Sequence, residues 1–91
     1  MEFEWDPEKA ETNWKKHRVT FLEGATALAD VLSITFADPD HSLEEERFIT
    51  MGMSDRGRLL IVSHTERDDR VRLISVRVAN RRERKTYEEE N

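Results

Sequence analysis

The chain has 91 residues, of which 38% are charged, a net charge of −5 and no cysteine. That length makes one domain, 1–91, with a modest core, and the lack of cysteine excludes disulfides and thiolate metal sites. No apolar run reaches the length of a membrane span. The acidic N-terminus lacks a signal peptide's basic start and apolar stretch, so a soluble cytoplasmic protein is expected.

Phe3 and Trp5 alternate with Glu2 and Glu4, the period of a short strand. Asp6-Pro7 then starts a helix, with Asp6 as N-cap and Pro7 in the first helical position. It is expected to run from Pro7 to His17, with Ala10, Trp14 and His17 on its apolar stripe and Lys9, Asn13 and Lys16 beside it. Thr20 and Glu23 form a capping-box pattern that opens a second helix, roughly Phe21 to Ala29. Gly24 in that helix either weakens it or admits a close neighbour.

Leu32, Ile34 and Phe36 alternate with polar residues and predict a strand, stopped by Asp38-Pro39-Asp40. Glu44 to Glu46 read as a solvated loop. Strands are expected over 47–54, 58–64 and 71–78. A turn at Asp55-Arg56-Gly57 joins the first two, and one over Thr65 to Asp69 joins the last two. Ala79 to Glu90 read as a terminal helix. The fold class is therefore α+β: a four-stranded antiparallel meander packed with two N-terminal helices and a C-terminal helix. The helices are expected on one face of the sheet, leaving the other partly open or covered by a partner.

The charge is unevenly spread. Residues 56–87 carry ten Lys/Arg against four Asp/Glu, whereas residues 1–55 carry five against thirteen. This asymmetry points to an anionic partner for the C-terminal third. There is no Gly-rich phosphate loop, no zinc-type histidine pair and no serine nucleophile elbow. His17, His41 and His64 are far apart in sequence, so neither a metal nor a cofactor is expected.

What remains is cationic and aromatic. His64 ends a strand on the parity of Leu60 and Val62, which suits a general base or a half-buried strand-end residue. Arg77 ends the last strand on the parity of Leu73 and Ser75, which suits a phosphate or a surface ion pair. In the terminal helix Asn80, Arg84 and Tyr87 share a face, and Glu83 lies one turn from Tyr87. Tyr87 fits a proton-transfer or base-stacking role, or a core anchor. Lys16 and His17 close the first helix with a second basic cluster, and Arg72 and Arg81 extend the first. Histidine, tyrosine and arginine suffice to cleave RNA through its own 2′-hydroxyl without a metal. The same patch fits a non-catalytic module that binds nucleic acid or a protein.

Several segments in order carry a family likeness: FEWDPEKAETNWKKH (3–17), VTFLEGAT (19–26), EERFITMG (45–52), GRLLIVSHTER (57–67), LISVR (73–77) and RERKTYEE (82–89). Across nearly its whole length the chain resembles the BrnT toxins of BrnT–BrnA toxin–antitoxin pairs. The resemblance implies a RelE-like fold and a metal-independent endoribonuclease that inhibits translation. It also implies a small ribbon-helix-helix antitoxin of the BrnA type, through which alone the toxin would meet DNA. Carried over residue by residue, it assigns catalytic roles to Arg77, Glu83, Arg84, Tyr87 and His64. It assigns RNA contacts to Lys16 and His17, and Arg72 and Arg81 join these as basic neighbours. Where the family usually reads Lys-His-Gly-Val, this chain has Arg18 in place of the glycine. Asn80 stands where the family often has threonine.

Overall fold

A computed structural model describes residues 2–41 and 45–91. Helix α1 is Pro7–His17, the span the sequence predicts. The Asp6 carboxylate accepts from the Glu8 amide at 2.9 Å, and Pro7 sits where no amide donor is needed. The helix ends at Arg18, whose φ of 57° lies in the left-handed region that normally selects glycine. Arg18 tolerates this turn with two local contacts. Its amide donates to the Trp14 carbonyl at 2.9 Å, and its guanidinium lies 5.6 Å from the centre of the Trp14 ring. The buried face of α1 is the expected one only in part: Ala10 packs against the core, but Asn13 is 5% exposed, whereas Trp14 is 44% exposed. A tertiary hydrogen-bond demand, described below, outranks the apolar stripe.

Helix α2 is Phe21–Leu28. Thr20 Oγ1 accepts from the Glu23 amide at 3.1 Å. The other half of the expected capping box is replaced. The buried Glu23 carboxylate accepts from Ser54 Oγ at 2.8 Å and from Arg58 Nε at 2.9 Å. The hydrogen bond from Arg58 lowers the Glu23 pKa below its ordinary value, against the opposing effect of burial.

Five strands form one sheet: β1 (Glu2–Glu4), β2 (Ile34–Ala37), β3 (Arg47–Met53), β4 (Leu59–Arg67) and β5 (Arg70–Val78). Their order is β1-β5-β4-β3-β2. Strands β2 to β5 pair antiparallel in succession, and β1 adds parallel to β5 with Phe3 opposite Val71. The sheet is thus five-stranded and mixed, not a four-stranded meander. A three-residue strand carries too little pattern to announce its partner.

Gly57 makes the β3–β4 turn with φ 76°. The next turn is tighter than expected. It is confined to Asp68 and Asp69, with Asp68 at φ 53°, and β4 continues through Thr65, Glu66 and Arg67 opposite Arg72, Val71 and Arg70. Those polar residues looked like loop but are ladder. A short 3₁₀ turn, Pro39–His41, follows β2. Of the expected acidic loop, Glu44 lies outside the described residues. Glu46 is exposed, and Glu45 Oε1 accepts from Arg67 Nη2 at 3.0 Å.

Helices cover both faces, not one. Helices α1 and α2 bury Val19, Phe21 and Ala27 against Leu60, Val62, Val71, Leu73 and Val76. Each of these valine, leucine and phenylalanine side chains contributes about 1.5–3 kcal/mol. Helix α3, Arg81–Glu90, lies on the other face, where Tyr87 packs with Met51, Leu59 and Ile61. The run Leu59 to Val62 is buried throughout because both of its faces are covered. Two glycines permit the close approach of α2 to the sheet. A Cβ on Gly52 would lie 2.2 Å from the Ala27 carbonyl oxygen, and one on Gly24 2.6 Å from Val76 Cγ2.

A β-bulge decides which way the end of β5 points. Ser63 pairs with Ser75 but His64 pairs with Leu73, so Ile74 is the extra residue. Side-chain parity flips there. Val71, Leu73 and Val76 therefore share the α2 face, and Arg77 joins Ile61 on the α3 face. Simple alternation had put Arg77 on the parity of Leu73.

Candidate active site

Strand β1 pairs with β5 only as far as Arg72, so the outer edge of β5 is bare from Leu73 onward. Asn13 closes it. Its Oδ1 accepts from the Val76 amide at 3.0 Å, and its Nδ2 donates to the Val76 carbonyl at 2.9 Å and to the Val19 carbonyl at 3.0 Å. The side-chain amide thus acts as a one-residue strand and ties α1 to β5. Between α1 and the bulge lies a cleft of about 390 Å³. Lys9, Thr12, Lys16, His17, Ile74 and Ser75 line it, with Asp6 and Glu8 at the start of the helix. The last helical turn supplies Lys16 and His17, where cations suit the dipole.

Beyond the cleft along β5, Arg77 makes two parallel hydrogen bonds to Glu83. Both Nη1 to Oε1 and Nη2 to Oε2 are 2.8 Å. Glu83 is itself held. Its Oε1 accepts from the Asn80 amide at 2.9 Å, while Asn80 Oδ1 accepts from the Glu83 amide at 2.9 Å, a full capping box. The hydrogen bonds from Arg77 lower the Glu83 pKa, and the same contact raises that of Arg77. The Arg77 side chain remains 41% exposed. A guanidinium has five N–H groups, of which Glu83 takes two.

Arg81 and Arg84 lie exposed on α3. Arg72 shares the α3 face with Arg77. It lies opposite Thr65, which in turn lies opposite Arg47 on β3. Arg72 also adds to the charge that holds Glu45 ionised beside Arg67.

Tyr87 and His64 sit apart from this basic surface. The Tyr87 hydroxyl donates to Asp30 Oδ2 at 2.6 Å, and this bond, with burial, pushes the phenol pKa up to about 12. His64 is 3% exposed on the opposite face of the sheet. Its Nε2 lies 2.8 Å from Thr50 Oγ1, and its ring stacks on Phe48 with centroids 5.9 Å apart. Burial lowers its pKa below the ordinary 6.5, against a small opposing effect of Glu66, so the ring is neutral near pH 7.

A family model described as the ribonuclease toxin BrnT of type II toxin–antitoxin systems matches residues 5–83. The chain belongs to the BrnT family. Its fold is similar to the 1.1 Å crystal structure of the Brucella abortus ribonuclease toxin BrnT. The TM-score is 0.65 and the identity 21%, over 89% of this chain and 99% of that one. No curated protein matches the chain.

In this BrnT-family chain the sequence-derived candidates fall into separate places. Lys16 and His17 meet at the α1–β5 cleft. Arg77 and Glu83 meet at the start of α3, with Arg81 and Arg84 on the same helix. Tyr87 is at its far end, His64 is beneath α2, and Arg72 is towards the β4–β5 turn. Sequence reasoning missed Asn13 as the organiser of the cleft, and Thr12 and Ser75 as polar lining. A polar residue inside an otherwise good helix was the available signal for Asn13. Nothing local announced Ser75, which lines the cleft next to the bulge residue Ile74. Among the described residues no three His, Asp or Glu side chains gather as a metal-binding group.

Proposed function

We propose that this chain is the toxin of a type II pair and acts as a metal-independent endoribonuclease. The observation that carries the reading is the family match over 5–83, which spans every residue of the cleft together with the Arg77–Glu83 pair. In this reading the RNA backbone enters the α1–β5 cleft, and Lys9 and Lys16 neutralise its phosphates. Arg77 and Arg84 hold the scissile phosphate. The unspent N–H groups of Arg77 stabilise the phosphorane as negative charge develops. The 2′-hydroxyl attacks phosphorus, loses its proton to a base, and displaces the 5′-oxygen, which is protonated as it leaves. A 2′,3′-cyclic phosphate and a free 5′-hydroxyl result.

His17, which lines the cleft, contacts the RNA there beside Lys16. The contacts of His64 and Tyr87 favour structural roles. Arg72 and Arg81 extend the electrostatic track for RNA, and that attraction weakens as salt rises. The antiparallel run β2–β5 with a helix after it supports a RelE-like grouping. Unopposed cleavage of cytoplasmic RNA would halt translation. A BrnA-like ribbon-helix-helix antitoxin would hold the toxin inactive and link it to DNA.

The test is cleavage of a naked single-stranded RNA with excess chelator, beside Arg77→Ala of matched melting temperature. Cyclic phosphate ends from the wild type alone are expected. Equal cleavage by both proteins, or none by the wild type on RNA or ribosomes, would overturn the reading.

A further inference from the structure

The sheet's open edges are guarded unequally. β1 is three residues long and carries Glu2 and Glu4, both of which pair with Arg70. The bare edge of β5 is closed by Asn13. Among the described residues, the outer edge of β2 has neither device. Its sequence is Ile-Thr-Phe-Ala, without a charge, a proline or a bulge. Natural proteins normally blunt such an edge, because its free amides and carbonyls invite another strand.

The ladder says which groups are free. The Asp38 amide donates to the Arg47 carbonyl at 2.8 Å. Hydrogen-bonded pairs alternate in an antiparallel ladder, so Phe36 and Ile34 bond inward like Asp38. The N–H and C=O groups of Thr35 and Ala37 therefore point away from β3. The border of this edge is apolar and exposed: Val31 is 95%, Leu32 50% and Phe36 44% accessible. Its rim is acidic. Asp40 is exposed just past the strand, and Glu88, Glu89 and Glu90 end α3 where Asn91 Nδ2 donates to the Leu32 carbonyl at 3.3 Å.

We propose that the outer edge of β2 is the docking site of the antitoxin. The antitoxin adds an extended segment there as a sixth strand, with apolar side chains facing Phe36 and Leu32 and flanking Lys or Arg facing the acidic rim. The inference rests on the reading of this chain as the toxin of a type II pair. It separates two functions in space: the antitoxin grips the β2 edge, and RNA enters at the β5 edge.

The experiment uses the full chain, alone and in complex with the antitoxin encoded beside it. Residue-resolved amide exchange is read by NMR. The complex is expected to slow exchange at Thr35 and Ala37 by roughly tenfold or more. Ala37→Pro removes the outward donor and fixes φ at about −65°, a change that an edge position tolerates. It is expected to weaken antitoxin binding by about tenfold or more, with the melting temperature and RNA cleavage unchanged. If that variant melts early, Phe36→Lys serves in its place, setting a cation against the basic segment. A formed complex with these two amides as exposed as in the free chain overturns the proposal, as does an antitoxin that does not bind. Protection that appears in the free chain as its concentration rises assigns the edge to a second copy and also overturns it. Cleavage by the free chain with an unprotected β2 in the complex defeats the docking site alone. A protected β2 without any cleavage defeats the ribonuclease reading alone.

Discussion

The Tyr87 hydroxyl donates to Asp30 Oδ2 at 2.6 Å, and the same carboxylate oxygen accepts from the Met53 amide at 2.8 Å. Asp30 Oδ1 accepts from the Leu32 amide at 2.9 Å. One carboxylate thus fastens the terminal helix to the end of β3 and to the turn before β2. Tyr87→Phe removes one charge-assisted hydrogen bond and is expected to cost about 1.5–3 kcal/mol, read as a lower melting temperature. RNA cleavage by the folded variant should match the wild type. A fully folded but inactive Tyr87→Phe would return Tyr87 to the chemistry.

Arg77 is expected to behave as a fork and not merely as a charge. Arg77→Ala should lower single-turnover cleavage by about 10²-fold or more. Arg77→Lys should restore little, because one ammonium cannot bridge both Glu83 oxygens and still present fixed donors to a phosphate. Glu83→Gln should fall between wild type and Arg77→Ala, since it keeps the N-terminal cap and loosens the guanidinium. Wild-type rates in Arg77→Lys would reduce Arg77 to a general cation.

Asn13→Ala should be among the most damaging single changes. It removes three buried hydrogen bonds and leaves the Val76 amide and carbonyl unpaired. A loss of about 3 kcal/mol is expected in a urea titration. Asn13→Asp should fare little better, because it lacks the donor for the Val19 and Val76 carbonyls. Unchanged midpoints in both variants would mean that the edge of β5 finds another partner.

His64 gives the fold a pH dependence of definite sign. Its folded pKa lies below the unfolded 6.5, so the unfolded chain binds more protons as the medium acidifies. Stability is therefore greatest above about pH 6.5 and falls as pH drops below it, until the folded ring itself protonates. The carboxylates of Glu23, Asp30 and Glu83, with pKa values lowered by their partners, weaken the fold only in a more acidic range. The check compares melting temperatures at pH 7.5 and pH 5.5, in the wild type and in His64→Gln. His64→Gln is expected to flatten the decline while lowering the plateau. An equally steep decline in the variant would assign the effect elsewhere.

Much of the local structure was legible in the amino-acid sequence. Asp6-Pro7 marked α1 to the residue, Thr20 marked the start of α2, and Gly57 marked a turn. These signals are complete within a few residues, because a cap or a left-handed turn is satisfied by the backbone beside it. The alternation of β2 and the apolar runs of β3, β4 and β5 announced strands for the same reason. The uneven charge marked a basic C-terminal third, and Lys16 and His17 line the α1–β5 cleft.

What tertiary structure decided was the direction and the company of the side chains. Tyr87 finds Asp30 across 57 residues, and Asn13 finds Val76 across 63. Neither partner can be inferred from spacing. One extra residue at Ile74 turns Arg77 from the α2 face to the α3 face, and a strand's alternation has no local mark that fixes where it will slip. His64 lies on the face its parity suggested, but only tertiary burial, with the Phe48 ring beside it, makes it a buried, neutral ring. Sequence determined which elements exist and where the first two helices begin, because those choices are satisfied locally. The site was left to the sheet's register and to the helices laid on it, which bring distant residues into contact.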